Sequence, residues 1–181
     1  MGLFYRLGQF WRGWRARPLP DEARERITAV LTPAEMALFD QFSLSDQQHS
    51  YQVLRTLQLY GQTNPDLLTA ALLHDVGKTR APLSIWERSL IVVAQAFLPQ
   101  KTAVWGQGSV DSWQRPFVVK AQHPAWGAAM AQEAGCHPLT IELIRRHQDP
   151  LPETLALSKV EVAVTEADRL LGLLQWADNQ N

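Results

Sequence analysis

Residues 64–78 read Asn-Pro-Asp-Leu-Leu-Thr-Ala-Ala-Leu-Leu-His-Asp-Val-Gly-Lys. Asn64 is an N-cap type followed by Pro65, and proline is at home in the first turn of a helix. An apolar run follows, and Gly77 stands where a helix stop is expected. The stretch predicts a helix over 65–76, ending on His74 and Asp75 just before Gly77 and Lys78.

The same start signals recur outward from this segment, and strand signals do not. Thr32-Pro33-Ala34-Glu35 combines a capping box with Pro at the first helical position. Ser45 with Gln48, Ser84 with Glu87 and Ser158 with Glu161 repeat the box spacing, and Gly61 and Gly135 mark further stops. The predicted helices are 21–31, 33–42, 46–60, 65–76, 85–97, 124–134, 138–148 and 158–174. Phe117-Val118-Val119 is the best strand candidate, too short to anchor a sheet. Residues 99–117 hold Pro99, Gly106, Gly108 and Pro116 with Trp105 and Trp113, which predicts a long aromatic loop. The expected architecture is an all-α bundle of seven to eight helices, with residues 1–20 as a tail and 21–181 as the domain.

The 181 residues have room for one domain with a substantial core. A net charge of -1 argues against a protein that coats nucleic acid. The charge is uneven: Arg6, Arg12, Arg15 and Arg17 fall in residues 1–20 with no acid, leaving the rest at a net -5. The single cysteine, Cys136, excludes an intrachain disulfide and a zinc site of several thiolates, and fits a reducing cytoplasm. No apolar run reaches the roughly 18 residues of a membrane span, and arginines interrupt any signal-peptide core near the N-terminus.

Four of the five histidines and two aspartates fall into a chemically meaningful order: His49, His74-Asp75, His123, His147 and Asp168. Taken singly, a histidine on a helix is most often a surface or satisfied core residue. Together they offer imidazoles and carboxylates for two metal ions, a donor set that zinc, iron, manganese and related ions accept. His137, between Cys136 and Pro138, is left over as a loop residue. Lys78, three residues after Asp75, could steady a phosphate oxygen or simply favour the helix C-terminus. Arg145 and Arg146 precede His147, and one of them could reach a substrate phosphate.

On these residues the sequence resembles the HD-domain superfamily of metal-dependent phosphohydrolases. The resemblance is carried by His49, Leu72-Leu73-His74-Asp75-Val76-Gly77-Lys78, His123-Pro124-Ala125-Trp126-Gly127, Ile144-Arg145-Arg146-His147 and Ala167-Asp168-Arg169-Leu170, over about residues 45–175. It implies an all-α fold in which His49, His74, Asp75 and Asp168 hold one metal. His123 and His147 would hold a second, with Asp75 bridging the pair. Both middle histidines are present, as in the dinuclear branch.

The implied cofactors are two divalent transition metals: Fe, Mn, or alternatively Zn, Co, Ni or Mg. The implied partner is a small phosphorylated substrate, a nucleotide or dinucleoside polyphosphate by likeness to small bacterial members. Members cleaving cyclic dinucleotides carry Gly-Tyr-Pro after the last histidine, where this chain reads Gln148-Asp149-Pro150. The same scaffold in other members supports di-iron oxygen chemistry or a non-catalytic binding role. Leu3, Leu7, Phe10, Trp11 and Trp14 recur at helical spacing with the arginines largely off that stripe. Residues 1–17 therefore suit peripheral membrane contact or docking on protein.

Overall fold

The computed structural model describes residues 17–151 and 165–181. Among them there is no strand, and nine α-helices form the fold: α1 (Asp21–Thr28), α2 (Pro33–Phe39), α3 (Leu44–Leu59), α4 (Pro65–Leu73), α5 (Ile85–Phe97), α6 (Pro99–Trp105), α7 (Arg115–Glu133), α8 (Pro138–Arg146) and α9 (Glu166–Gln180). A 3-10 turn, Val76–Arg80, follows α4. The all-helical bundle is as expected.

Helix α4 is the centre. Every residue from Leu67 to Leu73 is buried, as a helix apolar all round its circumference must be. Helices α3, α8 and α9 pack around it. Ile27, Leu54, Leu72, Leu143, Ile144 and Leu171 are among the side chains that fill the core. Burying each such leucine or isoleucine contributes about 1.5–3 kcal/mol. Asp66 in the first turn of α4 accepts from His137 Nδ1 at 2.9 Å and Thr140 Oγ1 at 2.7 Å, which moors the start of α8.

Most of the expected helix starts are observed. Thr32 and Ser84 make full capping boxes with Glu35 and Glu87, and Asn64 Oδ1 accepts from the Leu67 amide. Gly61 and Gly135 close their helices at φ 73 and 79, a conformation that favours glycine. For α3 the cap is Ser43, not Ser45: its hydroxyl takes the Asp46 amide, so the helix begins two residues early. The Ser158–Glu161 box and the first seven residues of the helix expected over 158–174 lie outside the described residues. The last helix itself starts at Glu166 and runs to Gln180.

The larger correction concerns residues 99–123. The expected aromatic loop instead contains α6 and the start of α7, and Phe117-Val118-Val119 is helical. Pro99 and Pro116 open these helices rather than break them. Pro124 does not start a helix but lies inside α7. The remaining short connection carries Trp113 over Trp105 and Phe117, with ring centroids 5.1 and 6.5 Å apart.

Candidate metal centre

Five elements converge on one cluster. His49 comes from α3, His74 ends α4, and Asp75 sits between α4 and the 3-10 turn at φ -97, ψ 3. That bridge-region backbone is common where side chains must be aimed at a site. His123 comes from the middle of α7 and His147 ends α8. The last member is Asp178, in the final turn of α9. Four imidazoles run in a chain, with centroids 5.5 Å apart from His49 to His74, 5.2 Å on to His147 and 5.1 Å on to His123.

The ligating atoms form two adjoining groups. In the outer group, Asp178 Oδ1 is 2.9 Å from His49 Nε2 and 3.7 Å from His74 Nε2. In the inner group, Asp75 Oδ1 is 3.2 Å from His123 Nε2 and 3.6 Å from His147 Nε2, and the two nitrogens are 3.2 Å apart. Atoms bound about 2.0–2.2 Å from one ion stand roughly 3–3.6 Å apart, so both groups have the span of a coordination shell. Asp75 joins them, because its Oδ2 lies 3.5 Å from His74 Nε2.

Local chemistry fixes which ring nitrogen faces the cluster. Backbone carbonyls can only accept, so a ring nitrogen against one must carry the proton. Nδ1 donates to Ala71 O in His74 (3.0 Å), to Ile144 O in His147 (2.7 Å), and to Val119 O (3.0 Å) and Lys120 O (3.1 Å) in His123. Pro124 explains the last pair. Lacking an N–H, it leaves the Lys120 carbonyl without its helical donor, and the His123 ring takes that place. In each residue Nε2 is turned to the cluster, the arrangement that metal-ligating histidines adopt.

The inner group therefore aims three lone-pair atoms at one point, and no hydrogen bond among them can satisfy all three. Nε2 of His74 is likewise buried without a hydrogen-bond partner. Both features fit a cation between the donors. The electrostatics agree. Burial drives His123 down to about 4, against the pull of Asp75, so it is neutral at pH 7 and able to ligate. Burial also disfavours charge on His74, but Asp75 and Asp178 outweigh it and lift this residue to about 9, so without a metal it is a cation between two carboxylates, and an ion taking its Nε2 must displace that proton. The Asp75 carboxylate, despite burial, is held well below its ordinary range by the charges of Lys78 and His74.

Two glycines bring the halves together. A Cβ on Gly77 would lie 2.6 Å from the Gly127 nitrogen and closer still to the His123 carbonyl. Only bare backbone lets the 3-10 turn cross α7 this closely, and that crossing seats Asp75 against His123.

A model of the HD domain matches residues 47–178. The chain belongs to the HD-domain family. Neither a curated protein nor a solved structure matches it. The match ends on Asp178, the residue that closes the outer group.

The expected ligands His49, His74, Asp75, His123 and His147 come together in this HD domain, and Asp168 does not. Asp168 sits in the first turn of α9, where its Oδ1 accepts from Arg146 at 2.6 Å and its Oδ2 from the Thr165 hydroxyl at 2.7 Å. Asp178 stands in its expected place. A signal for it exists: Leu171, Leu174 and Asp178 fall at i, i+3 and i+7 on the buried face of α9. Asp168, three residues after a capping threonine, has the ordinary position of a first-turn acid.

Of the expected substrate-binding residues, Lys78 is at the site, with its Nζ on Asp75 Oδ2. Arg146 is taken up by Glu142, Asp168 and, at 3.9 Å, Asp149, and Arg145 is exposed. Sequence reasoning missed a cleft of about 310 Å³ beside the inner group, lined by Lys120, His147, Gln148, Asp149, Gln175, Asp178 and Asn179. Every lining side chain is polar. Lys120 Nζ reaches Gln148 Oε1 at 2.9 Å, and the Gln148 amide approaches His123 Nε2 at 3.2 Å. His137 bonds Asp66 and takes no part in the cluster.

Proposed function

We propose that this chain is a dinuclear metal-dependent phosphohydrolase acting on a nucleotide or dinucleoside polyphosphate. Family membership supports the broader chemistry, since the HD-domain superfamily is one of metal-dependent phosphohydrolases. The observation that carries the dinuclear reading is Asp75, whose two carboxylate oxygens each face a different group of donors. His49, His74, Asp178 and Asp75 Oδ2 would hold an outer ion, and Asp75 Oδ1, His123 and His147 an inner one. Four imidazoles with two carboxylates favour a transition metal, with Fe and Mn foremost and Zn, Co, Ni or Mg as alternatives. Two divalent ions held by these residues would supply a hydroxide nucleophile near neutral pH and offset the negative charge of a phosphoryl group under attack.

The side chains around the ions supply orientation. Lys78 holds the Asp75 carboxylate and is a third exposed, so its ammonium can also meet a phosphate oxygen at the mouth of the centre. Lys120, Gln148, Gln175 and Asn179 give the cleft one cation and three amides, donors for the remaining phosphate and sugar oxygens. A cleft of this size suits a ligand at the small end of the range for such sites. Gln148-Asp149-Pro150, in place of Gly-Tyr-Pro, speaks against cyclic dinucleotides.

The test is a hydrolysis screen with Mn²⁺ over nucleotides, dinucleoside polyphosphates, cyclic dinucleotides and generic phosphate esters, with Asp75→Ala as control. Turnover lost together with bound metal in that variant is the expected result. A metal-loaded protein that hydrolyses nothing in the panel, or an Asp75→Ala protein that keeps metal and turnover, overturns the reading. Oxygen uptake by the iron-loaded protein would then be measured.

A further inference from the structure

The cleft beside the inner group has two unlike walls. On the α7 side stands a cation, Lys120, whose Nζ lies 2.9 Å from Gln148 Oε1. On the α9 side stand Gln175 and Asn179, four residues and so about 6 Å apart along one face of the helix. Asp149 belongs to the same wall, because the Gln175 side chain is tethered to its carbonyl.

Those tethers set which way the two amides point. Gln175 Nε2 donates to Asp149 O at 2.7 Å, and Asn179 Nδ2 donates to Gln175 O at 2.8 Å. Backbone carbonyls only accept, so the nitrogen of each amide faces the backbone and its oxygen is the opposite end. Neither Gln175 Oε1 nor Asn179 Oδ1 has a hydrogen-bond partner among the described residues. The Asp149 carboxylate adds further oxygens to this wall, with Arg146 Nε no closer than 3.9 Å.

A row of acceptors calls for donors. Phosphate oxygens at neutral pH only accept and carry negative charge, so they belong with Lys120 and the ions, away from Asp149. A sugar hydroxyl donates and accepts at once. It therefore matches an amide that has spent one N–H on the backbone and keeps the other beside its oxygen. A base is a poor match, because every lining side chain is polar and none offers an aromatic face for it to stack on.

We infer that Gln175 and Asn179 bind the vicinal hydroxyls of a ribose and so select ribonucleotides over deoxyribonucleotides, with little regard for the base. This rests on the nucleotide-hydrolase reading and names the part of the substrate that the cleft recognises.

The experiment measures kcat/KM of the Mn²⁺-loaded chain for adenosine 5′-monophosphate and 5′-triphosphate against their 2′-deoxy and 3′-deoxy forms. Removing a hydroxyl leaves an acceptor unpaired and should cost about tenfold, the net worth of one hydrogen bond. Guanosine, cytidine and uridine nucleotides should react much as adenosine nucleotides do. Gln175→Met combined with Asn179→Leu is close in shape but apolar. It should bring the ratio of ribo- to deoxyribonucleotide kcat/KM close to unity, which the loss of a merely structural contact would not do. Helical circular dichroism and metal content are read on the same variant, and the comparison of substrates needs no variant at all. Equal kcat/KM for the two sugars in the wild-type chain overturns the inference. So does a ratio that the double variant leaves unchanged, or a strong preference for one base. A chain that hydrolyses no nucleotide fails the hydrolase reading separately. Titration calorimetry with adenosine 5′-monophosphate and its 2′-deoxy form then decides the cleft: tighter binding of the ribose form upholds the inference, and equal or absent binding overturns it.

Discussion

Replacing Asp178 by alanine tests the centre most directly, because Asp168→Ala is its internal control. Asp178 supplies, beside Asp75 Oδ2, one of the two carboxylate oxygens proposed for the outer ion, and lies 2.9 and 3.7 Å from two imidazole nitrogens. Changing groups that merely orient ligands costs about 10–100-fold in metal affinity. Loss of an anionic ligand should therefore cost at least about 100-fold, or some 2.7 kcal/mol. The variant should still fold. Burial alone would raise the Asp178 carboxyl, but the hydrogen bond from His49 and the charges of His74 and His49 hold it down at about 2. Against the ordinary 3.8 that shift amounts to about 2.4 kcal/mol, reduced to about 1 kcal/mol for a side chain 36% exposed to solvent. The sign follows: this stabilisation is present above pH 3.8 and fades as pH falls towards 2. At neutral pH, elemental analysis of the Asp178→Ala protein should show a loss of about one metal ion per chain, with a thermal midpoint only a few degrees lower. Asp168→Ala should retain the full metal complement. The reverse pattern, with metal lost from Asp168→Ala and kept in Asp178→Ala, would refute the assignment of donors.

Three further outcomes follow from the geometry. Gly77→Ala must push α7 from the 3-10 turn until a 2.6 Å approach becomes an ordinary contact of 3.4 Å or more; it should cost about 1–3 kcal/mol and reduce metal content, and a melting curve with metal content at wild-type values would contradict the crossing. Pro124→Ala restores a helical N–H to compete with His123 for the Lys120 carbonyl. It should raise folding stability by about 1 kcal/mol, a gain of some 3 from removing an interior proline less the packing of its buried ring, while metal titration shows weaker inner binding by about 10–100-fold. Burial, with Glu35 beside it, pushes the Cys136 thiol up to about 12. The folded chain therefore keeps a proton that the unfolded chain sheds above pH 9, so stability should decline from pH 9 towards 12. At pH 8, Ellman's reagent should label Cys136 only after denaturant unfolds the chain, and rapid labelling of native protein would contradict this.

The helices around α4 were legible because their ends are written in local chemistry. A capping residue, a proline at the first helical position and a glycine at the stop act within a few residues of one another. The region 99–123 was not, because proline has two meanings that sequence alone does not separate. Pro99 and Pro116 begin helices, while Pro124 is tolerated inside one only because a histidine ring from the neighbouring position occupies the orphaned carbonyl. The same contrast holds at the centre. His74-Asp75 and His123 announce themselves beside glycines that permit close backbone approach. Asp178 offers no neighbouring motif and is found only by following the buried face of α9, whereas Asp168 has an acidic neighbour, Glu166, and a full explanation as a first-turn acid. The lining of the cleft is drawn from α7, α8, α9 and the segment after α8, so no linear pattern could have assembled it.

The two halves of the centre differ in their access to water. His123, His147 and Asp75 are almost wholly enclosed, whereas His49 and Asp178 are about a third exposed. An ion in the outer position would exchange with the surrounding solution directly. One in the inner position, held by side chains that are almost wholly enclosed, would exchange only through the polar cleft that His147 lines. The pair is then kinetically unequal: a chelator would strip the outer ion first, and the inner ion would record the metal available when the chain folded. Two different metals could thus coexist in one molecule, chosen by order of arrival rather than by affinity.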